Sequence, residues 1–167
     1  MRVYLPATST GLRRLVDEGA VGDPPMTAFA VTPGLREWYV EGDTDELEYA
    51  ALREAAVACL RLLDADPDAW RCRVVVAADV PDGQLTVRDD LDRGVVQLRA
   101  PVTVRQVAAV HLDDPEASEV IAAAAAAVTD ADLGEQSAQE AVDDAEGFEL
   151  SWYATQELPN LLSRPDG

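Results

Sequence analysis

Lysine is absent from this chain of 167 residues, so its 13 basic side chains are all arginine, against 32 acidic ones. Isoleucine and asparagine, whose codons are also rich in A and T, occur once each, at Ile121 and Asn160. The composition favours a source with a GC-rich genome, with adaptation to high salt as the alternative. No apolar run approaches the roughly 18 residues of a membrane-spanning helix, and no basic leader with an apolar stretch opens the chain. These absences predict a cytoplasmic protein with no membrane contact and no signal peptide.

Compact catalytic motifs are also missing. The sequence has no glycine-rich phosphate loop, no G-x-S-x-G turn and no H-E-x-x-H zinc motif, which excludes several common enzyme classes. Its two cysteines, Cys59 and Cys72, have a spacing that matches no zinc or redox motif. Each falls on the apolar side of a predicted helix or strand, so we expect two buried free thiols. We predict no cofactor.

Acidity is the dominant property of the composition, because the formal net charge is −19. Residues 1–70 hold six Arg and 13 acidic residues, and residues 106–167 hold one Arg and 14 acidic residues. Residues 71–105, with six Arg and five acidic residues, have a net charge of +1. A charge of this sign disfavours direct contact with nucleic acid, although an acidic chain can also serve as a decoy for a DNA-binding protein. A specific function is better sought in the central segment.

Hydrophobic periodicity predicts an α/β fold. Apolar residues alternate in six segments that are separated by stretches of helical spacing, which predicts strands at 1–7, 27–32, 71–80, 95–100, 107–113 and 148–153. We expect a single domain over residues 1–162, with a mixed sheet of five to six strands packed with helices, and a frayed tail at 163–167. The first choice of architecture is a ferredoxin-like two-layer arrangement with additions, and the alternative is a three-layer sandwich. Strands are expected to be parallel where a helix crosses over, and antiparallel elsewhere.

Two helix starts have the spacing of a capping box. Asp43 and Glu46 precede an apolar stripe that continues to Leu63, which predicts the longest helix of the chain. Ser137 and Glu140 predict the start of a polar helix that ends at Gly147.

Strand alternation places arginines on one face of the predicted sheet. That face is expected to carry Arg2, Tyr4, Arg71, Arg73, Gln97 and Arg99, with His111 as a further candidate. Three interpretations fit it. The arginines pair internally with Glu149 or with helix carboxylates, or they bind an anionic small ligand, or they form a docking surface for a partner or a second copy of the chain.

Two aromatic pairs, Trp38-Tyr39 and Trp152-Tyr153, are further candidates for binding. Trp38 follows Arg36 closely, and an aromatic ring beside a guanidinium offers a stacking surface for a ligand or partner. The alternative is that these rings close the edge of a core. An exposed tryptophan would favour the binding interpretation.

The single histidine suggests one catalytic alternative. His111 and Asp113 lie near the end of one predicted strand, and Asp79 lies near the end of another. If these ends met, an imidazole and two carboxylates would offer ligands for a divalent metal that activates water. Asp113-Asp114-Pro115 is also typical of a helix start, which needs no metal.

Seven segments together resemble a known family. They are Met1–Thr8, Ala28–Pro33, Leu35–Tyr39, Glu46–Ala51, Ala77–Pro81, Val110–Asp114 and Trp152–Pro159. They resemble a family of short, acidic, conserved actinobacterial proteins of unknown function, over nearly the whole chain. The resemblance implies one domain and a GC-rich source, and it brings no activity, cofactor or catalytic residue.

The sequence thus predicts a non-enzymatic cytoplasmic protein that binds or regulates. Its arginine-bearing sheet face would receive a protein partner, a second copy of the chain or an anionic small ligand. The alternative is a small metal-assisted hydrolase or transferase that uses His111, Asp113 and Asp79.

Overall fold

The computed structural model describes residues 1–39 and 41–164, over which the chain forms nine strands and six α-helices. In chain order they are β1 (Arg2–Ala7), α1 (Ser9–Glu18), β2 (Ala20–Val21), β3 (Met26–Ala30), α2 (Pro33–Trp38), α3 (Thr44–Ala65), β4 (Val74–Asp79), β5 (Leu85–Val87), β6 (Val95–Leu98), β7 (Val102–Thr103), β8 (Val107–Leu112), α4 (Ser118–Asp132), α5 (Gln136–Glu146), β9 (Ser151–Ala154) and α6 (Leu158–Leu161). No helix in these two ranges is both long enough and apolar enough to cross a membrane.

Seven strands form one sheet in the order β5-β6-β3-β1-β4-β8-β9, and β2 pairs with β7 in a separate ribbon. The predicted α/β class is confirmed, and the sheet has more strands than the five to six expected. Every pair in the described ranges is antiparallel, so the parallel pairs expected at helical crossovers are a wrong prediction. A helical crossover is nevertheless present, because α3 lies between β3 and β4 in the chain. These two strands run parallel to each other, since each is antiparallel to β1. Strand β1 lies between them and pairs with each, which separates the two parallel strands.

Helices cover both faces at the centre of the sheet. On one face, Leu12 of α1 and Leu158 of α6 belong to the same buried cluster as Val3 and Val74. On the other face, α3 packs against Tyr4, Phe29, Val75, Ala77 and Ala109. This is a three-layer arrangement, the second of the two architectures considered.

A helical hairpin forms a further packing layer behind α3. Helices α4 and α5 share a buried cluster with the second half of α3, in which Ile121 and Val142 pack with Leu60 and Leu63. The small residues of α4 allow this close packing, since Ala124 and Ala125 are both fully buried. The hairpin leaves the first half of α3 exposed on its outer side.

Of the two helix starts predicted from capping-box spacing in the sequence, the structure confirms one. The Asp43 carboxylate accepts a hydrogen bond of 2.9 Å from the Glu46 amide at the start of α3, as predicted. Gly19 ends α1 in the left-handed conformation at φ 79°, which favours glycine. The capping box expected from Ser137 is wrong, because α5 begins at Gln136 with Glu135 at the cap position, which places Ser137 inside the first turn.

The strand predicted at 71–80 is shorter in the structure and lies at Val74–Asp79. Its alternation is confirmed in part, since Val74, Val76 and Ala78 all belong to one core. The opposite face is buried as well, because Val75 and Ala77 pack under α3. Of the tail expected at 163–167, Arg164 donates to the backbone oxygen of Asp113 at 3.2 Å, and residues 165–167 lie outside the described ranges.

Candidate functional site

Arg73 lies directly before β4, on the face that was expected to carry arginines, and it is buried. Its guanidinium donates to both carboxylate oxygens of Asp113, at 2.9 and 2.8 Å, and to the backbone oxygen of Phe148 at 2.8 Å. The side chains of Arg73 and Asp113 are only 4% and 0% exposed. A guanidinium with these partners is a structural link between β4, β8 and the segment after α5.

Two other arginines of that face bind backbone oxygens. Arg71 precedes β4 and donates to the carbonyls of Leu63, Asp66 and Ala69, so it closes the end of α3. Arg99 donates to the carbonyl oxygens of Gly83 and Leu85. Neither guanidinium is directed at a shared ligand position.

Arg2 and Tyr4 are partnered too. The Arg2 guanidinium pairs with Asp79 at 2.8 Å on the surface, and this hydrogen-bonded pairing lowers the pKa of the Asp79 carboxyl. Tyr4 lies beneath α3 and donates to Glu48 at 3.4 Å. Burial, followed by the nearby charge of Glu48, raises the pKa of Tyr4. The arginines of this face therefore pair internally, with Asp79, Asp113 and backbone oxygens rather than with Glu149.

The three residues considered for a metal do not converge. His111 pairs in register with Val75, and Asp79 lies four residues further along β4, about 13 Å away at ~3.3 Å per residue. Asp79 is paired with Arg2 and Asp113 with Arg73. Within residues 1–39 and 41–164, no group of three or more histidine, cysteine, aspartate and glutamate side chains has the arrangement to hold a metal ion.

Four aromatic side chains lie exposed along the outer side of α3, and we call them the aromatic strip: Trp38, Tyr39, Tyr49 and Phe148. Their exposed fractions are 59%, 44%, 43% and 38% respectively. Adjacent depressions link them, since one of about 310 Å³ is lined by Tyr39 and Tyr49, and a second of about 80 Å³ is lined by Trp38 and Tyr39. A third depression joins Tyr49 to Phe148. Exposed aromatic side chains grouped around concave surface are typical of interaction sites in soluble proteins.

Carboxylates surround the aromatic strip. Glu46, Glu54 and Glu146 line the central depression together with one arginine, Arg53, which pairs with Glu146 at 3.4 Å. Partial burial, followed by the charge of Asp92, raises the pKa of Glu54. The depression therefore combines aromatic rings with an excess of negative charge, which suits a cationic group.

One end of the strip already holds a guanidinium. The side chain of Arg93 lies over the Trp38 ring at 3.5 Å from its centroid. Arg36, the arginine expected beside Trp38, is exposed on α2. Trp38 is thus available for stacking, and Arg93 from the loop before β6 uses one side of its ring.

Asp89 fixes the position of this end of the strip. Its carboxylate accepts hydrogen bonds from the Thr32 hydroxyl at 2.5 Å, the Gly34 amide at 2.9 Å and the Gly94 amide at 3.0 Å. Burial disfavours the charged carboxylate, but these three hydrogen bonds outweigh it and lower the pKa of Asp89. The network joins the start of α2 to the loop that carries Arg93, so it holds Trp38 and Arg93 together.

Gly94 is required in that network. Its φ of +83° favours glycine, and a Cβ there would approach the backbone oxygen of Ala30 to 3.1 Å. The amide of Gly94 also donates to the Thr32 hydroxyl at 3.2 Å.

Comparison with known proteins gives one match. A family model covers residues 1–162 of the chain, described as a family of unknown function, DUF6912. The chain belongs to the DUF6912 family. This match spans the single domain predicted from the sequence, and it assigns no activity to it. No curated protein and no solved structure matches the chain.

Sequence reasoning identified part of the strip and missed the rest. Trp38 and Tyr39 were candidates, whereas Tyr49 and Phe148 were not. Tyr49 was detectable, because it lies two residues after Leu47 and falls outside the apolar stripe of α3. Phe148 was placed in a predicted strand, and only the packing of the segment after α5 brings it beside Tyr49.

Proposed function

We propose that this DUF6912 protein is a non-catalytic cytoplasmic binding protein whose aromatic strip receives a basic segment of a partner protein. The supporting observation is the exposure of Trp38, Tyr39, Tyr49 and Phe148 in one continuous line among carboxylates. Tryptophan, tyrosine and arginine are the residues that most often dominate binding energy in protein interfaces.

Charge selects the class of partner. The chain has a net charge of −19, and the central depression carries three glutamates against one arginine. Nucleic acid is repelled by such a surface, whereas lysine and arginine side chains are attracted to it. A basic guest also gains cation–π contact with the tyrosine and tryptophan rings, as Arg93 does on Trp38.

The proposal keeps the binding role inferred from the sequence but assigns it to the aromatic strip, not to the arginine-bearing sheet face. The arginine-bearing sheet face lies partly beneath α3, and its guanidiniums bind carboxylates or backbone oxygens. An anionic ligand on that face would have to displace those partners. At the aromatic strip, Arg93 covers one side of the Trp38 ring and the Tyr49 hydroxyl donates to Glu149 at 2.7 Å, but both rings remain exposed for contact with a guest. Two buried free thiols suit the reducing cytoplasm that this role implies, in an actinobacterial source.

Titration with fluorescent arginine-rich peptides tests the proposal. We expect saturable binding, and each of the changes W38A and Y49A should weaken it about fivefold, because a cation–π contact contributes roughly 1 kcal/mol. The change E54Q removes a negative charge from the central depression, so it should also weaken binding and should reduce the dependence of the affinity on salt concentration.

Matched control variants distinguish binding at the aromatic strip from nonspecific attraction of basic peptides to an acidic protein. Trp152 is 60% exposed on β9 and lines none of the three depressions of the strip, so W152A should bind the peptides as the natural chain does. Neutralising Glu140 on α5 removes one acidic charge outside the strip and should change affinity much less than E54Q. Equal losses for W152A and W38A, or no loss for W38A and Y49A, would overturn the proposal.

A further inference from the structure

A second concave surface lies between α1 and α3, and we call it the α1–α3 groove. It has a volume of about 660 Å³, within the range of roughly 300–1,000 Å³ typical of sites for small molecules. Its lining includes Leu5, Val21 and Met26, with Ala58 and Leu62 of α3 opposite. Leu62 is 40% exposed, so an apolar wall is open to an incoming molecule.

Thr8 supplies a polar group to the lining of this apolar groove. The residue is only 8% exposed and lines the groove, and its hydroxyl has no hydrogen-bond partner in the described parts of the chain. Its neighbours differ, since the Ser9 hydroxyl accepts from the Trp70 amide at 2.9 Å and the Thr10 hydroxyl donates to Asp66 at 2.9 Å. The hydroxyl keeps contact with solvent, because Nε of Arg164 is the one fully buried side-chain polar atom without a partner in the described residues. A ligand in the groove can therefore accept its hydrogen bond in place of water.

The start of α1 adds donors at the same place. Thr8 is the cap residue of this ten-residue helix, its side chain makes no capping bond, and the first turn contains no acidic residue. The amides of a first helical turn have no partner within the helix. Thr8 and Gly11 both line the groove, so an acceptor atom placed there would meet a hydroxyl and backbone amides together.

The charges of the lining disfavour a charged ligand. Two arginines, Arg14 and Arg61, and two aspartates, Asp23 and Asp66, border the groove, which gives no net charge. Both guanidiniums are paired, Arg14 with Glu18 and Asp23 and Arg61 with Asp132. Asp66 is held beside the start of α1 by Thr10, where it would repel a carboxylate.

From this arrangement we propose that the α1–α3 groove binds an uncharged, largely apolar molecule that carries one hydrogen-bond acceptor, an alcohol or a carbonyl group. The apolar part of the ligand lies against Leu62 and Met26. Its acceptor atom accepts hydrogen bonds from the Thr8 hydroxyl and from the backbone amides of the first turn of α1. This site is separate from the aromatic strip, so the two proposals stand or fall independently.

Titration with decanol and decanoate, followed by amide chemical shifts in the full chain, tests the inference. Decanol should shift the amides of Ser9, Thr10 and Gly11 saturably, and decanoate should bind more weakly because of Asp66. The change T8V, which keeps the shape and removes the hydroxyl, should weaken decanol binding about fivefold, the equivalent of one neutral hydrogen bond. The change T8S retains the hydroxyl and should restore most of the affinity.

A second pair of variants tests the apolar wall. L62E should abolish decanol binding, whereas L133E should not, because Leu133 is 81% exposed at the turn between α4 and α5. Absence of saturable shifts with decanol would overturn the proposal. Equal binding of decanoate would overturn its uncharged ligand class, and unchanged affinity of T8V would overturn the role of Thr8.

Discussion

Arg73 and Asp113 form a buried, bidentate ion pair, with donor–acceptor distances of 2.9 and 2.8 Å. The backbone amide of Arg73 adds a third hydrogen bond to Asp113 at 2.7 Å. The same guanidinium donates a hydrogen bond to the Phe148 carbonyl, and the Arg164 side chain donates one to the Asp113 carbonyl. One buried pair therefore joins the start of β4, the end of β8, the segment after α5 and the end of the described chain.

The first prediction concerns the removal of one partner of this pair. D113A leaves the Arg73 guanidinium buried without a counter-charge, which typically costs about 3–5 kcal/mol. We expect a decrease of that size in the free energy of unfolding, measured by urea denaturation with tryptophan fluorescence.

An exposed pair provides the control. Asp79 pairs with Arg2 on the surface, where such pairs contribute about 0–1 kcal/mol, so D79A should be nearly neutral. If D113A and D79A lowered stability equally, the buried pair would not have the role assigned to it. The double change R73M/D113L should recover only part of the loss, because it removes both buried charges but also removes the hydrogen-bond partners of the Arg73 amide and the Phe148 carbonyl.

The second prediction concerns the thiols. Cys59 is fully buried and donates to the Val74 carbonyl at 3.0 Å, and burial raises the pKa of both Cys59 and Cys72 to about 12. Because the thiolate is the reactive form, neither cysteine should react with a thiol reagent at pH 8 in the folded protein. Both should react rapidly in urea. The number of reactive thiols per chain is measured from the absorbance of the aromatic thiol that the reagent releases. Rapid reaction of either one without denaturant would contradict this.

The third prediction concerns His111. Burial, with a smaller effect of the positive charge of Arg2, lowers the pKa of His111 below its usual 6.5. The unfolded chain therefore binds a proton before the folded chain does as the pH falls. Stability contributed by the neutral imidazole is full above pH 6.5 and is lost as pH falls from there through the folded-state pKa.

Two measurements check the histidine. An NMR titration of the imidazole should give a midpoint below 6.5, and H111Q should remove part of the slope of unfolding free energy against pH in that window. A midpoint above 6.5 would reverse the sign of the effect and exclude burial as its cause.

The fourth prediction concerns Asp89. D89A removes the acceptor of three hydrogen bonds, so we expect a loss of about 1–3 kcal/mol in the free energy of unfolding. It should also weaken peptide binding at the aromatic strip, because Trp38 and Arg93 lose their common support. D90A is the matched control, since Asp90 is exposed and pairs only with Arg88 in the described residues. Unchanged peptide affinity of D89A would show that the strip does not depend on this network.

Local signals in the sequence were sufficient for several elements. The alternation of Val3, Leu5 and Ala7 predicted β1, and the spacing of Asp43 and Glu46 predicted the start of α3. These features depend on neighbours within a few residues, which a single sequence contains.

Features that depend on distant residues were not predictable. Arg73 was expected on an accessible face, and its partner Asp113 lies 40 residues away, directly after β8. The insertion of β1 between β3 and β4 is also a long-range pairing, and it changes the expected parallel neighbours into antiparallel ones. The aromatic strip has the same origin, because the two ends of the strip, Trp38 and Phe148, are aligned only when α2 and the segment after α5 pack against α3.

The central position of β1 has a consequence for biosynthesis. This strand leaves the ribosome ahead of both its neighbours, and it pairs with β4, in which Val74 is bound to Ala7 and Asp79 to Arg2. Its apolar residues remain without their full set of partners until residue 79 has been translated and has cleared the exit tunnel. Nascent chains shorter than this should therefore recruit chaperones, and completion of β4 should mark the point at which β1 gains the second of its two strand neighbours.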